Sequence, residues 1–186
     1  MRGWTLLSRK PLSAYQLLSL EERTMRNDRT GAVIPFIVAH LDDWVNVVAI
    51  TQDGRVVFVE QARPGTDSVT LEIAGGTIDP GESPEDAARR ELREETGYVA
   101  QRLIYLGKVA VNPAIQDNWC HFFAAPGAVK AGEPQLDPGE DIIPRLMTIA
   151  EVSAAIDSGD FVHSLGMLGF YKALRMLNLD ASETRS

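Results

Sequence analysis

The sequence predicts an α/β fold whose first part is rich in strands. Three observations carry this. Short β-branched and aromatic runs, separated by turn residues, follow one another from Trp4 to Ile73. One charge-rich segment, Pro84 to Thr96, has clear helix start and stop signals, and two more helical segments close the chain.

Trp4 to Leu7, Ala14 to Glu21 and Ala32 to His40 read as strands, with Asn27-Asp28 and Thr30-Gly31 as turns. Val45 to Thr51 and Arg55 to Gln61 flank Gln52-Asp53-Gly54, and Asp-Gly between two β-branched runs signals a hairpin. Val69 to Ile73 is a further strand, followed by the glycine pair Gly75-Gly76 and a tight turn at Asp79-Pro80-Gly81-Glu82. Ser83 before Pro84 joins a hydroxyl N-cap to a proline at the first helical position, and Gly97 is the stop. Strands resume at Arg102 to Val111 and Trp119 to Ala125. Ala128 to Asp141 is polar, acidic and rich in Gly and Pro, so it reads as a loop before a strand over Ile142 to Met147. Thr148 with Glu151 forms a capping box for a helix ending at Gly159. The last helix spans about Ser164 to Leu177, and Ala181 to Ser186 reads as a frayed tail.

Length and composition bound the function. A chain of 186 residues, 45% hydrophobic and 24% charged, suits one soluble globular domain or a domain with an extension. The expected division is an arm over residues 1–40 and a domain over 41–180. No apolar run reaches the roughly 18–20 residues that span a bilayer, and the N-terminus lacks a signal-peptide pattern. Cys120 is the only cysteine, so no intrachain disulfide forms and a reducing, cytoplasmic setting is expected. The net charge of −8 argues against a nucleic-acid backbone as partner.

The segment Pro84 to Thr96 poses a problem. At helical spacing, Pro84, Ala87, Ala88, Glu91, Glu94 and Glu95 share one side, with Leu92 at its edge. The opposite side carries Glu85, Asp86, Arg89, Arg90 and Arg93 and is expected to face water. The only face able to pack therefore carries three glutamates. In water such like-charge pairs cost about 0.2–0.5 kcal/mol each. Turned inward, an uncompensated carboxylate costs several kcal/mol. A bound proton, arginines folded over the carboxylates, or a divalent cation would each relieve the strain, and clustered carboxylate oxygens suit Mg²⁺ or Mn²⁺. Ion pairing on a solvated helix, Glu85 with Arg89 and Arg90 with Glu94, is the plainer alternative.

Gly76, Glu82, Arg90-Glu91-Leu92, Glu94-Glu95 and Gly97 fall at the spacings of a 23-residue pattern that ends at Tyr98. This pattern resembles the signature of the Nudix hydrolases, with Tyr98 in place of the usual aliphatic residue. The resemblance implies an α/β/α sandwich with a mixed sheet, and hydrolysis of a nucleoside diphosphate linked to another group. It implies Mg²⁺, with Mn²⁺ an alternative, held by Glu91 and Glu95, with Glu94 as a further ligand or water-sharing group and the Gly75 carbonyl as another. Arg90 would orient a glutamate, Glu82 would brace the preceding loop or contact metal through water, and Gly76 would lie close to the substrate's phosphates.

The segments VVFVEQARPG and LEIAGG, and Pro113 sixteen residues after Gly97, resemble the ADP-ribose and ADP-sugar pyrophosphatase branch. That branch implies a homodimer through the N-terminal arm, and Pro113 is placed near the substrate. Arg63 is a candidate for contacting the diphosphate, with a strand-end surface arginine as the plainer alternative. VNPAIQDNWCHFF departs from the branch's glycine-rich form, which leaves GDP-mannose, UDP-glucose or another nucleotide sugar open. Glu140 is the candidate general base, with Asp141 its neighbour and Glu133 a weaker choice. A nucleotide-sensing module without catalysis would have lost signature carboxylates, and none is lost. Trp4, Trp44 and Trp119 are expected as core residues rather than base platforms, His121 as structural, and His40 and His163 give no signal.

Overall fold

The computed structural model describes residues 3–179, so the tail expected at Ala181 to Ser186 lies outside the described residues. The chain divides into two units. One holds the chain up to Asp43 together with Val109–Trp119. The other holds Trp44–Lys108 and the chain from Cys120 onward.

The first unit is built on an antiparallel sheet of three strands, β1 (Trp4–Ala14), β2 (Ser19–Asn27) and β3 (Val33–His40). The expected strand over Ala14 to Glu21 is corrected. Strand β1 runs on to Ala14 and the chain then turns, with Tyr15 N–H donating to the Leu18 carbonyl at 2.8 Å. Pro11 is accommodated because β1 is an edge strand, and the pairing shifts register between Pro11 and Ser13. The Asn27 turn forms as expected, its Oδ1 accepting the N–H groups of Arg29 and Thr30. Leu7, Val33, Ile34, Phe36 and Ile37 remain exposed on this sheet. The segment Val109–Trp119 is tied to β3, since Ala39 N–H donates to the Ile115 carbonyl at 2.7 Å and His40 Nδ1 lies 2.5 Å from Asp117 Oδ2.

In the second unit, β4 (Trp44–Thr51) and β5 (Val56–Arg63) form the expected hairpin, with Gly54 at φ 80°. β6 (Ser68–Thr77), α1 (Pro84–Thr96), β7 (Tyr98–Val99), β8 (Ile104–Ala110), β9 (Trp119–Lys130), β10 (Ile142–Met147), α2 (Ile149–Ser158) and α3 (Ser164–Leu177) follow. The sheet has seven strands in the order β10-β5-β6-β4-β9-β7, with β8 on β9. It is mixed, because β4 and β9 run parallel while β4 pairs antiparallel with β5 and β6.

Helices cover both faces. Ala87, Ala88 and Leu92 of α1 are buried against Val45, Val47, Val57 and Phe123. Helix α3 approaches closely through Gly169, where a Cβ would meet Ile73 and Phe122 at 3.0 and 3.1 Å. Phe161 packs edge-on to Phe58, with ring centroids 5.1 Å apart. The result is the expected α/β/α sandwich. Strand β9 runs to Lys130, beyond its expected end at Ala125, because Tyr98 and Val99 pair with Lys130 and Val129. The three tryptophans are not core residues. Trp4 and Trp44 are half-buried and Trp119 is exposed. His121 is buried and hydrogen-bonds Tyr105 at 3.2 Å. Among the described residues no helix is long and apolar enough to cross a membrane.

Candidate active site

The ends of α1 form as read. Ser83 Oγ accepts the Asp86 N–H at 3.1 Å, and Gly97 closes the helix at φ 72°. A Cβ at Gly97 would also overlap the Gly132 carbonyl, so this glycine serves both the turn and a close crossing. The buried face carries Ala87, Ala88, Glu91, Leu92, Glu95 and Thr96. Glu94 was expected there but stands at the rim, with 41% of its side chain exposed. Thr96 takes the buried place instead.

The glycines preceding the helix were expected in a loop. They lie in β6, paired with β4 as Gly76 with Val45 and Gly75 with Asn46. Neither adopts positive φ, so neither is needed for turning. They are needed for closeness. A Cβ at Gly76 would overlap the Glu91 carboxylate, and one at Gly75 would overlap the Val45 carbonyl and the Asn46 side chain. The strand thus presses its bare backbone against the glutamates, and Gly75 N–H donates to Glu95 Oε2 at 2.8 Å.

Glu95 is 3% exposed. Burial pushes its carboxyl from 4.5 up to about 8, and the charges of Glu91 and Glu140 push the same way. The Gly75 N–H and Arg63 offset this only in part. Burial also raises Glu91, although Arg90 pulls it back. Of the three ways to relieve such a face, two are visible here: a carboxyl that favours its proton, and an arginine folded over its neighbours. Helical spacing put Arg90 toward water, while the resemblance set it to orient a glutamate. Its guanidinium reaches Glu82 at 2.8 Å, Glu91 at 2.7 Å and Glu94 at 3.3 Å, and donates to the Thr77 carbonyl at 3.0 Å. Glu82 in turn accepts the Asp79 N–H at 3.2 Å, so the turn before the helix is braced through Arg90. The pairs Glu85–Arg89 and Arg90–Glu94 both form.

As they stand, the acidic and histidine side chains of the described residues form no ready cage for an ion. The donor set nevertheless fits one. Glu95 is a buried carboxylate whose ionised form lacks compensation, it adjoins Glu91, and every candidate ligand is an oxygen. Hard divalent cations require such donors.

Arg63 ends β5 and makes a two-pronged pair with Glu72 of β6, Nε to Oε1 at 2.7 Å and Nη2 to Oε2 at 2.9 Å. Glu72 is 3% exposed. Burial pushes its carboxyl up, but the Arg63 bonds, His163 and the Thr70 hydroxyl at 2.7 Å more than offset this and hold it low. Arg63 lies within electrostatic reach of Glu95 and Glu140. Glu72, Thr70 and His163 were not singled out from sequence. A lone acid in the apolar run LEIAGG was the available signal.

Glu140 precedes β10 in a turn where its N–H donates to the Asp137 carbonyl and its Oε2 accepts the Asp137 N–H at 3.0 Å. Its charge acts on Glu91, Glu95 and Arg63. Glu133 is instead paired with Lys130 at 2.9 Å and is 84% exposed. Pro113 is exposed and begins a turn in the unit of the N-terminal sheet. Strand β6, α1, Arg63 and Glu140 are thus brought together within the second unit.

Residues 41–165 match the NUDIX domain model, and the chain belongs to that family. It is a Nudix hydrolase acting on a diphosphate bond. The chain is 29% identical over 158 residues to the ADP-ribose pyrophosphatase of Bacillus subtilis (strain 168), covering 75% of this chain and 85% of that protein. It is 28% identical over 165 residues to the ADP-ribose pyrophosphatase of Mycobacterium tuberculosis (strain ATCC 25618 / H37Rv), covering 88% of this chain and 79% of that one. A solved structure of an ADP compounds hydrolase superposes with a TM-score of 0.83 at 22% identity, covering 96% of each chain, and shares the fold.

Proposed function

We propose that this protein hydrolyses ADP-ribose or a related ADP-sugar to AMP and a sugar phosphate, using Mg²⁺ or Mn²⁺. The observation that carries the reading is the buried, under-compensated Glu95 beside Glu91, within electrostatic reach of Arg63. The two bacterial relatives, both ADP-ribose pyrophosphatases, support the same substrate class. Glu91, Glu95, Glu94 and the Gly75 carbonyl would hold the cation, which would supply charge neutralisation at the diphosphate and a more acidic water. Arg63 binds and orients the diphosphate by the guanidinium edge turned away from Glu72. Gly76 lets the phosphates approach bare backbone, Arg90 keeps the glutamates in place, and Pro113 helps to shape the substrate's surroundings. Glu140 accepts the proton of the attacking water as one bridging P–O bond breaks. The arm over residues 1–40 pairs with a second copy through its exposed apolar residues, leaving 41–180 as the catalytic domain. The lone cysteine fits a cytoplasmic setting.

The test is a panel of ADP-ribose, ADP-glucose, UDP-glucose, GDP-mannose, NADH and nucleoside triphosphates with Mg²⁺, reading AMP and phosphate release. ADP-ribose or ADP-glucose should be cut fastest. Glu140→Gln should lower kcat by about a hundredfold or more, as loss of a general base does. Faster cleavage of GDP-mannose or UDP-glucose would move the specificity to another nucleotide sugar. No cleavage of any panel member would refute the catalytic assignment.

A further inference from the structure

Helix α3 begins with an unusual residue. His163 occupies its N-cap, where Ser, Thr, Asp or Asn would satisfy a free backbone N–H, and His163 makes no side-chain cap bond. Helix α2 in the same chain has a complete capping box at Thr148 and Glu151, so the contrast is local. The imidazole turns elsewhere. Its Nδ1 lies 3.2 Å from Glu72 Oε2 and has no hydrogen-bond partner, although the atom is buried. Gly166, one turn along, keeps the space clear, since a Cβ there would meet Phe161 at 2.9 Å and His163 Nδ1 at 3.2 Å. The helix start thus forgoes its cap, and a glycine stands where a side chain would collide, while the ring faces one buried carboxylate.

That carboxylate is the anchor of Arg63. Both oxygens of Glu72 are occupied by the guanidinium, Oε1 also accepts the Thr70 hydroxyl, and Oε2 faces His163. Oε1 therefore has a hydrogen-bonded support besides Arg63, and Oε2 has the His163 ring in close contact. A carboxylate held at both oxygens fixes the plane of the guanidinium paired with it, and so fixes the direction of the remaining N–H groups.

We propose that His163 is a positioning residue, which with Thr70 acts through Glu72 to aim Arg63 at the substrate's diphosphate. The inference rests on the assignment of Arg63 above. It makes the start of α3 part of substrate binding, although α3 contributes no residue to the signature.

The test compares KM, kcat and melting temperature for ADP-ribose hydrolysis across a small set of variants. His163→Ser restores a good N-cap but is too short to reach Glu72. It should melt no lower than the parent, raise KM by about threefold or more as the close Nδ1–Oε2 contact is lost, and leave kcat within about twofold. His163→Asn keeps an N–H donor near the Nδ1 position and should bring KM back toward the parent. Thr70→Val should raise KM in the same way, and Thr70→Ser should restore it. In Arg63→Lys the fork is lost, so adding His163→Ser should raise KM no further. An unchanged KM in His163→Ser or in Thr70→Val, or effects of His163→Ser and Arg63→Lys that multiply, would overturn the proposal. An unchanged KM in Arg63→Lys would instead overturn the assignment of Arg63 itself, and the proposal with it.

Discussion

Replacing Glu95 by glutamine keeps an oxygen for the Gly75 N–H, now 2.8 Å from Glu95 Oε2, and removes only the charge. In the metal-free protein the Glu95 carboxyl sits at about 8 rather than 4.5, mainly because of burial. The folded state therefore holds this proton more tightly than the unfolded chain. Its contribution to stability is full below the unfolded carboxyl's range and is lost as pH rises through about 8. Carried to pH 9, the loss amounts to at most about 5 kcal/mol, of which about 1 kcal/mol falls between pH 7 and pH 9. For a chain of this size that increment is roughly 2–4 °C of melting temperature. Melting curves in a chelator should show the parent falling by that much more than Glu95→Gln over this interval. Added Mg²⁺ should then stabilise the parent at pH 9 and leave Glu95→Gln nearly unmoved, since only the ionised carboxylate competes for the cation. Parallel pH slopes for the two proteins would refute the argument that Glu95 is the uncompensated charge.

Gly76→Ala places a methyl group against the Glu91 carboxylate, and the apparent Mg²⁺ affinity read from melting curves should weaken by about tenfold or more. Ser83→Ala removes the bond to the Asp86 N–H and should cost about 1 kcal/mol in chemical denaturation. Val33→Lys with Ile37→Lys charges an apolar sheet surface where these residues are 54% and 46% exposed, and sedimentation should find a dimer for the parent and a monomer for the variant.

Local chemistry made much of the fold legible. Ser83-Pro84, Gly97, Gln52-Asp53-Gly54 and the Thr148 capping box each act within a few residues, and each formed where it was read. What failed depended on distant partners. Gly75 and Gly76 looked like loop glycines because nothing nearby in sequence reveals that β4 pairs with them or that Glu91 crosses above. Arg90 looked like a solvated residue because its main partner, Glu82, lies eight residues away across a turn. Periodicity placed Glu94 inward with Glu91 and Glu95, but a helix face has a rim, and packing decides which residue stands on it. His163 was invisible for the same reason. Its partner Glu72 is far away in sequence and meets it only once α3 has folded onto the sheet.

The loop that carries Glu140 begins at the C-terminus of the signature helix. Gln135 N–H donates to the Glu94 carbonyl at 2.7 Å, and Ala131 and Gly132 both donate to the Gly97 carbonyl. Its far end is fixed where Ile142 pairs with Gln61. The stretch from Leu136 to Asp141 is therefore a short tether with both ends anchored, one of them on the helix that supplies Glu91 and Glu95. Shortening or lengthening it would move Glu140 while leaving those two glutamates where they are. With Glu140 as the proposed base, variation confined to these few positions would tune the rate without rebuilding the helix that carries Glu91 and Glu95.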